Sequence, residues 1–166
     1  DYMFQHDLFD VLARPGKSGG GYCTELPEYQ MPFIFANFNG TYEDVDVLTH
    51  EAGHAYASYR AMRSIPLYEL TQGGMETCEV HSMSMEFFAW KWMPLFFKEN
   101  AEKYKYMHIG NALSFIPYGT MVDYFQQLVY EKPDMTPAER KSIWLDLEKQ
   151  FRPYLSNEGI TYMEEG

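Results

Sequence analysis

Apolar residues recur every three or four positions at Val45, Leu48, Ala52, Ala55, Tyr59 and Met62 and stop at Ile65-Pro66, which predicts one helix with its face toward a core. Thr41 and Asp44 before it resemble a capping box with Asp in place of Glu. Phe33 to Phe38 is short, apolar and aromatic between Pro32 and Asn39-Gly40, and reads as a strand. Upstream, Phe4, Leu8, Val11 and Leu12 fit helical spacing until Arg14-Pro15-Gly16 breaks the run. A second long helix starts near Gln72, passes Glu86 and continues into an aromatic stretch from Phe87 to Phe97 that Pro94 should kink or end. Residues 100–130 read as helix interrupted near Pro117 and Gly119. A last helix opens at Thr136-Pro137-Ala138-Glu139 and closes near Arg152-Pro153. The expected architecture is mainly α, with a small β element before the central helix.

That central helix carries His50-Glu51-Ala52-Gly53-His54. Positions four apart share a helix face, so two imidazoles can hold one metal ion while the Glu beside the first points at an open coordination position. Five letters alone are weak, arising roughly once in 70 shuffles of this composition. The neighbours strengthen the reading: Ala52, Gly53, Ala55, Ala57 and Ser58 are all small and let other elements approach closely. Zinc requires a third protein ligand. A His six residues on is ruled out, because the corresponding positions are Ala57 and Arg60. Glu76, Glu79 and Glu86 on the next helix remain, and spacing does not rank them. His81 sits about 200° around that helix from Glu79 and is expected to face away from a metal held there.

His50-Glu51-x-Gly53-His54 with Glu79-Val80-x-Ser82-x-x-x-Glu86 downstream resembles the thimet oligopeptidase and oligoendopeptidase F family of zinc metallopeptidases. Gly21-Tyr22-Cys23, the run from Pro32 to Thr41, and Phe115-Ile116-Pro117-Tyr118-Gly119 resemble the oligoendopeptidase F branch. The resemblance implies a zincin-like core, one zinc per chain on His50, His54 and Glu79, and Glu51 as general base in hydrolysis of short peptides. It also implies a region, residues 1–166, that is the single catalytic core of a longer helical peptidase. Glu86, two turns beyond Glu79 on the same face, is a candidate for orienting a ligand imidazole. Ala36 and Asn37, near the start of the metal helix, are candidates for an edge strand that holds extended substrate. The same ligands would also serve a non-catalytic zinc-binding scaffold or an inactive fragment, which has no use for Glu51.

A formal charge of −11 argues against nucleic-acid and anionic-membrane partners, and no apolar run is long enough to span a bilayer. Oligopeptides remain the expected partner, with self-association or the remainder of the same enzyme as a protein contact. Cys23 and Cys78 are too few for a disulfide framework, and a reducing, cytoplasmic location is expected.

Overall fold

The structure is a computed structural model that describes residues 2–156 and 158–161. It divides into two compact units, Asp1–Tyr104 and Lys105–Gly166.

The first unit opens with α1 (Tyr2–Gln5), then β1 (Phe9–Leu12), β2 (Tyr22–Leu26) and β3 (Met31–Phe38). Phe9 to Leu12 is therefore strand rather than a continuation of helix. Asp7 turns the chain with a φ of 51°, which a right-handed helix does not pass through, and Phe9 and Asp10 then pair in parallel with Ile34 and Phe35. The Lys17 ammonium fastens the two strands. It donates to the carbonyls of Asp10 (2.9 Å), Leu12 (3.0 Å) and Ala36 (2.5 Å) and lies 3.1 Å from the Asp10 carboxylate. β2 runs antiparallel on the other side, from Tyr22 opposite Phe35 to Leu26 opposite Met31, so the sheet order is β1-β3-β2.

Helix α2 (Glu43–Ser64) follows, with the motif in its middle. Its N-cap is Tyr42, without a side-chain cap. Asp44 instead accepts from the backbone N–H of Asn39 (3.1 Å) and Gly40 (2.7 Å), so the carboxylate orders the approach to the helix and the box read from Thr41 does not form. Arg63 near the far end of α2 donates to the Gln30 carbonyl, and Gln30 Nε2 donates to the Met62 carbonyl, which ties the turn before β3 to the end of α2. Helix α3 (Met75–Phe88) carries the downstream carboxylates and gives way to a 3-10 turn before α4 (Met93–Phe97). Pro94 thus stands in the first turn of a new helix, where its missing N–H costs nothing, and does not kink the old one. Met93, Ala101 and Tyr104 form a buried cluster with Tyr42, Val45, Trp90 and Phe97 packed against it.

Helix α5 (Ala101–Glu131) begins in the first unit, and α6 (Pro137–Phe151) lies in the second. α5 is continuous through Pro117, where an interruption was expected. The Thr120 hydroxyl donates to the Ile116 carbonyl at 2.8 Å within that turn. α6 has the capping box its sequence predicts, with Thr136 and Glu139 bonding each other's backbone N–H. No helix among the described residues is long and apolar enough to cross a membrane.

Candidate active site

Helices α2 and α3 touch where side chains are smallest. A Cβ built on Gly53 would lie 2.6 Å from both the His81 carbonyl oxygen and the Ser82 Cα, so only glycine permits this approach. Ser82 is fully buried at the crossing. Its hydroxyl donates to Glu79 Oε2 at 2.9 Å and turns that carboxylate toward α2.

The result is a convergent donor set. His50 Nε2 is 3.2 Å from Glu79 Oε2, and His54 Nε2 is 3.7 Å from Glu79 Oε1. One ligand atom from each of the three residues lies within 4.8 Å of the others. Donors bound tetrahedrally at zinc's usual distances are separated by roughly 3.3 Å, so this set fits zinc in spacing as well as in its two imidazoles and one carboxylate. Glu86 Oε1 is 2.6 Å from His50 Nδ1. It therefore engages the ring nitrogen that points away from Glu79 and leaves Nε2 as the free donor. That hydrogen bond raises the His50 pKa against the opposing effect of burial. Burial dominates at His54 and lowers its pKa, while the Glu79 charge resists. Glu76 is exposed and outside the donor set.

Glu51 is 7% exposed, and its Oε2 is enclosed with no hydrogen-bond partner. Burial raises its carboxyl pKa; the nearby imidazole of His50 and the backbone N–H of Cys23 pull the other way. β2 comes this close because Gly21 has no side chain: a Cβ there would meet Val47 Cγ1 at 3.2 Å and Glu51 Oε1 at 3.9 Å. The glycine run from Gly19 to Gly21 thus brings backbone up to the site.

A cleft of about 600 Å³ opens over these groups, walled by β2, α2, the segment from Tyr68 to Met75, and α3. One expectation changes here. β3 is the middle strand of the sheet, so Ala36 and Asn37 offer no free edge. Ala36 is fully buried with its carbonyl bonded to Lys17, and the Asn37 amide donates to the Ser18 and Gly20 carbonyls, both at 2.9 Å. The strand lining the cleft is β2, whose partner among the described strands is β3 alone. His81 is exposed and lines the same cleft but lies outside the donor set. Sequence reading also missed Cys23, Glu25 and Tyr68 as wall residues. The signal for β2 was the alternation that begins directly after the glycines.

Residues 2–162 match the model of Peptidase family M3. The chain belongs to that family. Among solved structures, PZ peptidase A with an inhibitor superposes with a TM-score of 0.92 at 52% identity. A protein named oligoendopeptidase F gives 0.92 at 53%, and one of the same name from Bacillus anthracis gives 0.86 at 49%. Each match covers 99% of this chain and 29% of the other, so the chain spans under a third of the length of these M3 relatives. No curated protein matches it. The mainly α, zincin-like architecture is that of the M3 relatives.

Proposed function

We propose that this chain is the catalytic core of a zinc-dependent endopeptidase that hydrolyses short peptides, within a longer enzyme of family M3. The observation that carries the reading is the pairing of the His50, His54 and Glu79 donors with a half-enclosed Glu51 carboxylate in one open cleft. His50, His54 and Glu79 would hold one zinc ion, which when bound supplies Lewis acidity toward a carbonyl oxygen and makes water more acidic. Glu86 keeps the His50 tautomer with Nε2 as donor, and Ser82 keeps Glu79 in place.

Glu51 takes the proton of the attacking water on its carboxylate and delivers it to the departing amine. Its raised pKa suits both halves of that transfer, because a carboxylate nearer the working pH is a better proton acceptor and then a competent donor. The Cys23 backbone N–H acts on this carboxylate from β2 and favours its charged form, which is the form that accepts the proton. The outer edge of β2 would give main-chain hydrogen bonds to an extended peptide regardless of its side chains, which suits peptides of varied sequence.

The test is Glu51→Gln. It should retain about one zinc per chain by elemental analysis and lose peptide cleavage. Retained turnover would remove Glu51 from the mechanism. Zinc held by a protein with no cleavage even in the longer enzyme would leave a metal-binding scaffold.

A further inference from the structure

The cleft continues beyond the metal centre. Past His54, α2 lines it with Ala57, Ser58 and Ala61, roughly 5–10 Å along the helix axis. Side chains this small leave a slot between α2 and β2 rather than filling it.

Glu25 stands across that slot. Alternate residues of a strand share a face, so Gly21, Cys23 and Glu25 point the same way. The direction is toward α2, because Gly21 faces Val47 and Glu51. Glu25 is therefore about 7 Å along β2 from Cys23, the residue whose N–H meets Glu51. Tyr68 and Gln72 line the cleft beside it, and the Glu25 carboxylate raises the pKa of the Tyr68 phenol. Even so, Glu25 Oε2 is enclosed and has no hydrogen-bond partner. An enclosed carboxylate oxygen without a donor is unfavourable until one arrives.

Neither Lys nor Arg lines the cleft to supply that donor. A divalent ion held by Glu79 and two neutral imidazoles would carry one positive unit, which the Glu51 and Glu86 carboxylates more than match. The Glu25 carboxylate is left without a matching cation.

We propose that Glu25 is a specificity-determining residue that selects a positively charged group on the peptide, two residues from the bond that is cut. The spacing follows from the strand, because an extended peptide beside β2 advances by the same 7 Å over two residues. The group is an ammonium or guanidinium, supplied either by a Lys or Arg side chain or by a free amino terminus. The proposal rests on the peptidase reading for its substrate and on Glu25 for its selectivity.

The experiment uses zinc-loaded protein and matched peptides: Lys against norleucine, Arg against citrulline, and free against acetylated amino termini. Turnover is measured as kcat/KM, and binding without turnover by fluorescence anisotropy in the Glu51→Gln background. The cationic member of a pair should be preferred by about 10-fold or more. Glu25→Gln should bring the ratio close to one, and Glu25→Lys should reverse it in favour of a Glu-bearing peptide, a change that loss of structure does not produce. Which pairs respond identifies side chain or terminus as the source. A charge preference that survives both variants, or is absent from the wild type, overturns the proposal and leaves the peptidase reading standing. Glu25-dependent binding without any turnover does the reverse. Absence of peptide binding overturns both.

Discussion

Replacing Gly53 by Ala tests the link between helix packing and metal binding. The new Cβ would sit 2.6 Å from the His81 carbonyl oxygen and the Ser82 Cα, both backbone atoms that no rotamer change can move. Ordinary contact begins near 3.4 Å, so α3 has to retreat by about 0.8 Å or more. Overpacking of this kind costs about 1–3 kcal/mol, offset by about 1 kcal/mol from the better helix propensity of Ala. The larger effect is on ligands. Glu79 rides on α3 one turn before Ser82, and a zinc site tolerates distance errors of about 0.2 Å, so a retreat several times that size should weaken zinc binding by at least about 10-fold. Competition with a chromogenic chelator measures the affinity, and thermal melts with and without chelator separate folding from ligation. Gly110→Ala on α5 is the control, because a Cβ there meets nothing within 4 Å and should stabilise by about 0.5–1 kcal/mol. Wild-type zinc affinity and stability in Gly53→Ala would refute the claim that this glycine sets the distance between the two helices.

Glu79→Ala should fail to retain stoichiometric zinc, Glu86→Gln should lose about 10- to 100-fold in affinity, and Glu76→Ala should match the wild type; elemental analysis that reverses the first and third would overturn the ligand choice. Cys23, whose pKa is pushed up to about 12 by burial and then by the Glu51 and Glu25 carboxylates, should alkylate at pH 8 roughly 10³-fold more slowly than a free thiol, as mass mapping of iodoacetamide adducts can show. The folded thiol keeps its proton between about pH 9 and 12 while the unfolded one loses it, so its contribution to stability declines as pH rises through that window; free-thiol reactivity in the folded protein contradicts this. Residues 1–166 expressed alone should self-associate through exposed Phe88, Trp92, Leu95 and Phe96; a monodisperse monomer in sedimentation refutes this.

Local rules carried the helices and the donor pair. α2 ends at Ser64 because Ile65-Pro66 cannot continue it, and α6 starts at Pro137 because Thr136 and Glu139 can reach each other's backbone. His50 and His54 share a face through helical spacing alone. What failed was local in the same way. Phe4, Leu8, Val11 and Leu12 satisfy a helical period, yet Phe9 to Leu12 gains more from pairing with β3 than from extending a four-residue helix. Pro117 looked like a break, but a helix of 31 residues contains it.

Which carboxylate joins the two imidazoles, and which strand lines the cleft, belong to a different class of question, since each depends on contacts between residues far apart in the chain. Choosing Glu79 over Glu76 depends on where α3 crosses α2, which is decided by one absent Cβ at Gly53 meeting the backbone of His81 and Ser82. Placing the substrate edge depends on strand order. The apolar pattern of Met31 to Phe38 is that of a strand buried on both faces, and such a strand tends toward the middle of a sheet, leaving the half-exposed Tyr22 to Leu26 as the edge beside the cleft. The alternation along β2 then does two things at once. It aims the Cys23 and Glu25 positions at α2, and under the proposed function it would leave the strand's free side to a peptide, so that one five-residue segment would both meet the Glu51 carboxylate and present a second carboxylate to the substrate.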